Sequence, residues 1–235
     1  MEGSSHLSLG PVLLFHKPYG VLSQFTPEPG SRWRCLAEFI SVPEVYAAGR
    51  LDADSEGLLL LTANGRLQQR LTNPAFGHGR RYWVQVEGDL AEAAEALESL
   101  RRGVIIQQRR TLPARARTLS TAELDAAGIA PRDPPIRHRI SIPTSWLELE
   151  LREGRHRQVR RMTAAVGLPT LRLIRMAIDL MDGRPPLQLR GLQPGHWRHV
   201  NEADRDRLND LLTLPRSGRG GRAGPGKSGR GGAGG

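Results

Sequence analysis

The sequence predicts an α+β fold on a mixed, largely antiparallel bent sheet with flanking helices. Three observations carry this. Apolar segments of strand length follow one another closely, and helical segments interrupt them without regular alternation. "GLLLLT" (Gly57–Thr62) is apolar without a break, as in a strand covered on both faces. "SWLELELRE" alternates strictly, with Leu147, Leu149 and Leu151 inward and Glu148, Glu150 and Arg152 outward.

The elements follow in order. "PVLLFHKPYGVLSQFT" reads as strand, turn, strand, with Pro18–Gly20 as the turn. "CLAEFI" is a short helix that packs the lone cysteine, Cys35. "VYAAGRLD" is a strand, "ADSE" a polar loop, and Asn64-Gly65 a turn. "RLQQRL" begins a helix that Pro74 stops. "RRYWVQVEG" is a strand. Asp89 is expected to cap the helix "DLAEAAEALESLRRG", with Leu90, Leu97 and Leu100 on its apolar side and Gly103 at its end. "GVIIQ" and "TLPARARTL" are short strands, and "PRDPPIRHR" is an irregular surface loop. "GRHRQVRRMTAAVG" is a helix with Val159, Met162 and Val166 inward. "PTLRLIRMAIDL" returns as a strand. Asn201 opens a last helix, with Asp204 as its capping-box partner.

At 235 residues the chain is long enough for a sizeable core. A soluble cytoplasmic protein is expected. No apolar run approaches the roughly 18 residues of a membrane span, and the first residues lack a signal-peptide pattern. A single cysteine excludes an internal disulfide and a zinc knuckle. Phosphate-loop, dinucleotide-binding, zinc-protease and serine-hydrolase motifs are absent, so no cofactor and no metal are expected.

The net charge is +10. Half of it lies in the low-complexity tail Arg216–Gly235, through Arg216, Arg219, Arg222, Lys227 and Arg230. The remainder is still basic, which points to a polyanionic partner, most often nucleic acid. The expected organisation is a flexible arm over 1–10, a folded domain over 11–214 and a disordered tail over 215–235.

Three segments hold candidate chemistry. Arg155, His156, Arg157, Arg160 and Arg161 crowd the start of one helix. Such a run is usually a solvated face, but here no acid stands inside it. Arg160 neighbours Val159 and can turn inward, leaving Arg157 and Arg161 outside for phosphates. Tyr82 shares a strand face with Arg80, either packing its ring or presenting it to a base. Asp52 lies where a strand breaks, as a turn residue or as a carboxylate held against the leucines that follow. Asp54 and Glu56 read as loop residues.

"HKPYGVLSQFT", "GRLDADSEGLLLLT", "RRYWVQVEG" and "EGRHRQVRRMTAAVGLPTLRLIR", in this order, resemble the motifs of RsuA-type pseudouridine synthases. "PPIRHRISIPTSWLELELREGRHRQVRRM" and "PGHWR" are most similar to the RluE subgroup, which lacks the small S4-type RNA-binding domain. Arg80 departs from the family's usual lysine, and the two are not interchangeable. The tail is not part of the pattern.

The resemblance implies a cleft across the sheet in which uridine is isomerised without a cofactor. The implied target is ribosomal RNA of the large (23S) subunit; a monomer is the default expectation. It implies that Asp52 acts at C1′ or C2′ of the ribose and that Arg160 pairs with it. Tyr82 would stack on the flipped uracil and take the C5 proton. Lys17, Arg50, Arg80, Arg155, Arg157 and Arg161 are the expected RNA or cleft contacts. Two other readings share the residues: a non-catalytic RNA-binding or ribosome-assembly module, and a hydrolase pairing Asp52 with Glu56.

Overall fold

The strand-length segments pair into one nine-stranded sheet among the described residues, which are 9–137, 139 and 141–213 of this computed structural model. In chain order the strands are β1 (Val12–Lys17), β2 (Tyr46–Ala47), β3 (Glu56–Thr62), β4 (Gly79–Glu87), β5 (Ile105–Ile106), β6 (Arg109–Arg110), β7 (Arg115–Thr118), β8 (Thr144–Leu151), β9 (Thr170–Asp179), β10 (Leu187–Gln188) and β11 (Trp197–His199). The helices are α1 (Gly65–Thr72), α2 (Ala94–Arg102), α3 (Thr121–Ala127), α4 (Gln158–Ala165) and α5 (Glu202–Thr213). The sheet runs β11-β1-β3-β9-β4-β8-β7, with β2 on β3 and β10 on β9, while β5 and β6 form a separate hairpin. Every strand pair is antiparallel except β3–β9. The α+β reading holds.

The unbroken leucines of β3 are explained by two cores. Leu58 and Leu60 pack with Leu67 and Leu71 of α1 and Leu208 and Leu211 of α5. Leu59 and Leu61 pack on the opposite face with Phe15, Val21, Leu36 and Ile40. Each fully buried leucine contributes roughly 1.5–3 kcal/mol relative to exposure. In the other half of the sheet, Leu147, Leu149 and Leu151 of β8 meet α2 and α4 through Leu97, Leu100, Val159 and Met162. The reverse face there is polar: Trp83 Nε1 donates to Glu148 at 3.0 Å, and Arg81 Nη2 donates to Glu150 at 3.3 Å.

The two halves meet at the parallel β3–β9 step, which depends on Gly57. Its φ is +107°, and a Cβ there would stand 2.4 Å from the Arg175 carbonyl oxygen. Only glycine allows this backbone approach. It brings the loop before β3 beside β9, and hence beside β4.

Several local expectations are corrected. The segment after Gly20 forms only a bridge, Val21 to Arg34, rather than a strand. "CLAEFI" gives a single 3-10 turn, Leu36–Glu38. Asp89 accepts from Ala91 N at 2.8 Å, so it closes a turn, and α2 starts later with Ala93 at its cap. Leu9, assigned to the arm, is buried in the core. The basic cluster starts before the helix: Arg157 is the cap residue of α4, with φ +53°. α3 was missed, although Ser120 and Glu123 form a capping box. Residues 1–8 of the arm and the Gly/Arg tail lie outside the described residues.

Candidate active site

The loop Asp52–Ser55 is held by backbone contacts on both sides. Ser55 N donates to Asp52 O at 3.0 Å, and Gly20 N donates to Ala53 O at 2.7 Å. Ser23 Oγ donates to Leu51 O at 2.8 Å and accepts from Leu51 N at 3.0 Å. These bonds fix Asp52 at the mouth of a cleft of about 360 Å³. Tyr82 lines the same cleft from β4, as do Arg50, Arg80, Arg155, Arg157 and Arg175. Asp52, Tyr82 and five guanidinium-bearing side chains are therefore brought together from four distant stretches of sequence.

The expected pairing of Asp52 with Arg160 is corrected. Arg157 Nη1 lies 3.6 Å from Asp52, and Arg157 also donates to both oxygens of Asp54, at 3.1 and 2.7 Å. Arg160 Nη2 donates to the Asp54 carbonyl at 2.6 Å, and its Nε stands 3.4 Å from the Asp54 carboxylate. The left-handed backbone at Arg157 turns its side chain back toward the loop, and Arg160 follows one helical turn behind. Asp54 is therefore the hub of the arginine cluster. Burial works against its charge, but the Arg157 hydrogen bonds and the charges of Arg160 and Arg157 outweigh this and hold its pKa below 3.8. Arg157 is raised, chiefly by its hydrogen bond to Asp54, while burial lowers Arg160.

The dry carboxylate is also a different one. Asp52 has about a third of its side chain exposed. Glu56, read as a loop residue, is the first residue of β3 and is buried. Arg172 of β9 holds it with two hydrogen bonds, 2.9 and 2.7 Å long. This removes Glu56 as a cleft partner for Asp52.

Lys17 is likewise not on the surface. It is fully buried and donates to Val21 O at 2.6 Å and Pro18 O at 3.0 Å. Burial lowers its pKa to about 7, against the pull of Glu56, Asp54 and Asp52. Its hydrogen bonds tie it to the Pro18–Val21 turn, and being fully buried it cannot reach a phosphate. Arg155 is tied to the carbonyls of Arg109 and Arg110 and to Glu153. Arg80 donates to Leu71 O at 3.0 Å while lining the cleft. Arg161 lies outside the cleft, with Nη2 3.4 Å from His156 Nδ1. Arg50 is exposed at the cleft wall.

Arg175 was not singled out by the sequence. It sits opposite Tyr82 in the β4–β9 ladder and is buried, with Nε donating to Leu58 O at 2.6 Å. Its Nη2 has no hydrogen-bond partner among the described residues. Burial lowers its pKa, and the neighbouring Tyr82 opposes that. Arginine inside the apolar run "LRLIRMAI" was the available signal, since a buried charge needs a reason.

This open cleft can admit a flat polar ring beside a carboxylate and a phenol, with cations on its walls. No group of three or more His, Cys, Asp or Glu side chains among the described residues can hold a metal. The chain belongs to the RNA pseudouridylate synthase family, whose model matches residues 11–165. It is 52% identical over 187 residues to the ribosomal large subunit pseudouridine synthase E of Xanthomonas campestris, covering 80% of this chain and 94% of that protein. The Vibrio vulnificus protein of the same name is 49% identical, over 81% of this chain and 75% of its own. A crystal structure of a pseudouridylate synthase shares the fold, with a TM-score of 0.62 at 24% identity over 85% of this chain and 74% of that one.

Proposed function

We propose that this chain isomerises uridine to pseudouridine in large-subunit ribosomal RNA. The observation that carries the proposal is the convergence of Asp52 and Tyr82 on one cleft walled by Arg50, Arg80, Arg155, Arg157 and Arg175. Family membership and the names of the relatives supply the reaction and the RNA class. The reaction moves the ribose C1′ bond from uracil N1 to C5 and releases the C5 proton, so atoms balance within the nucleoside and water.

Asp52 acts on the ribose, either at C1′ or on the C2′ proton. Arg157 places positive charge 3.6 Å from it. Tyr82 stacks on the flipped uracil and accepts the C5 proton. Flipping costs a few kcal/mol, and stacking on an aromatic ring returns roughly 1–3 kcal/mol. Arg160 acts indirectly, fixing the loop through the Asp54 carbonyl. The enzyme works as a monomer in the cytoplasm, and the cations of the tail add loose RNA affinity. No helix among the described residues is long and apolar enough to cross a membrane.

Incubation with unmodified large-subunit ribosomal RNA, followed by nucleoside analysis, tests this. Pseudouridine supports the proposal. Free uracil would make the protein a hydrolase, and binding without a product would make it an assembly module.

A further inference from the structure

A second open cavity, of about 430 Å³, adjoins the catalytic cleft. The two share Gly49, Arg50 and Thr72 as a common wall. Tyr46 lines the second cavity with 60% of its surface exposed, an unusual position for a large ring in a well-packed protein. Strand alternation accounts for its direction: Ala47 packs toward the core, and Tyr46 points away. Phe25 braces Tyr46 edge-on, with centroids 6.4 Å apart and planes at 75°, and is itself packed against the core. The ring is thus presented on a firm support.

The segment Tyr46–Asp52 is held at several points. Ala48 N donates to Leu60 O at 2.7 Å, Gln68 Nε2 donates to Ala47 O at 3.0 Å, and Ser23 binds both polar backbone atoms of Leu51. Arg50, between these anchors, has neither an ion pair nor a side-chain hydrogen bond among the described residues and stands where the cavities join. One rigid stretch therefore carries, in order, an exposed aromatic ring, an unpaired cation and the cleft carboxylate. Five residues lie between the ring and the carboxylate, and the six steps span at most about 22 Å of chain.

We propose that this cavity is a nucleobase subsite. An unpaired base of the strand that carries the target uridine stacks on Tyr46, a phosphate lies at Arg50, and the target enters the cleft at Asp52. This rests on the function proposed above and adds a reading position outside the reacting nucleotide. Stacking suits the site because any base offers a π face, and a cation beside it suits the backbone. The surrounding Gln24 and Gln68 give a polar rim.

The test uses the full chain and unmodified large-subunit ribosomal RNA transcripts, with dissociation constants measured across a salt series. Tyr46→Ala should weaken binding by roughly 5- to 150-fold, the range of one base–aromatic stack, with an unchanged salt slope. Tyr46→Trp should retain the affinity. Arg50→Ala should flatten the log–log salt slope by about 0.7–0.9, the loss of one phosphate contact. Circular dichroism establishes that each variant is folded, which the exposure of both residues favours. If folded Tyr46→Ala binds as the parent does, or Tyr46→Trp binds as poorly as Tyr46→Ala, the subsite is wrong. These are binding readouts, so they stand apart from pseudouridine formation, whose absence in the parent would instead overturn the function itself.

Discussion

Arg157 holds Asp54 with two hydrogen bonds, 3.1 and 2.7 Å long, and the same guanidinium lies 3.6 Å from Asp52. Asp54 thus sets where the positive charge beside Asp52 stands. Asp54→Asn should destabilise the fold by about 1–3 kcal/mol, the usual cost of breaking a partly buried charge-assisted contact, and slow pseudouridine formation. Urea unfolding at neutral pH reads the first effect and single-turnover kinetics the second. Asp54's native pKa is depressed, so its contribution is present above pH 3.8 and lost as pH falls below it. The penalty of Asp54→Asn should therefore shrink in acid. A variant as stable and active as the parent would remove Asp54 from the site.

Lys17 gives a pH dependence of the same sign in a different window. Its native pKa is lowered from 10.5 to about 7. Between those values the unfolded chain binds more protons than the folded one, so stability rises with pH across the window. Below about pH 7 the ammonium is buried with its charge and its full cost is felt. Lys17→Met removes this titration. The stability of the parent relative to Lys17→Met should therefore climb as pH is raised from 7 toward 10. Parallel curves in urea would show that Lys17 is not held as described.

Glu56 and Arg172 form a buried ion pair with two hydrogen bonds. Arg172→Met leaves Glu56 charged and unpartnered, and should cost about 3–5 kcal/mol. Adding Glu56→Leu should return much of that loss, because an apolar pair of similar volume avoids the desolvation penalty. Denaturant melts of the two single variants and the double variant measure the coupling. Additive losses would mean that the pair is not a unit.

The sheet was legible where one residue pattern had one explanation. The run Leu58–Leu61 and the alternation in β8 each follow from which faces are covered. The cleft members Asp52 and Tyr82 were legible only through the resemblance of their motifs, since a strand end and a strand face alone read as a turn residue and a packed ring. The arginine assignments were not. Helical pitch places Arg157 and Arg160 on a helix, but α4 begins only at Gln158, and the left-handed backbone at Arg157 redirects its side chain. Lys17 looked like a surface cation because its sequence neighbours say nothing of Glu56, which reaches it only through the β1–β3 ladder. Arg172 and Arg175 find their roles through a parallel pairing that depends on Gly57.

Asp52, as proposed, performs the chemistry in a cleft that binds RNA without it. Asp52→Asn is close in size and leaves the Arg157–Asp54 hydrogen bonds in place. Its affinity for unmodified ribosomal RNA should stay within a few-fold of the parent, with no pseudouridine formed over many parental turnovers. Pseudouridine produced at the parental rate by Asp52→Asn would show that this carboxylate is not the reacting group.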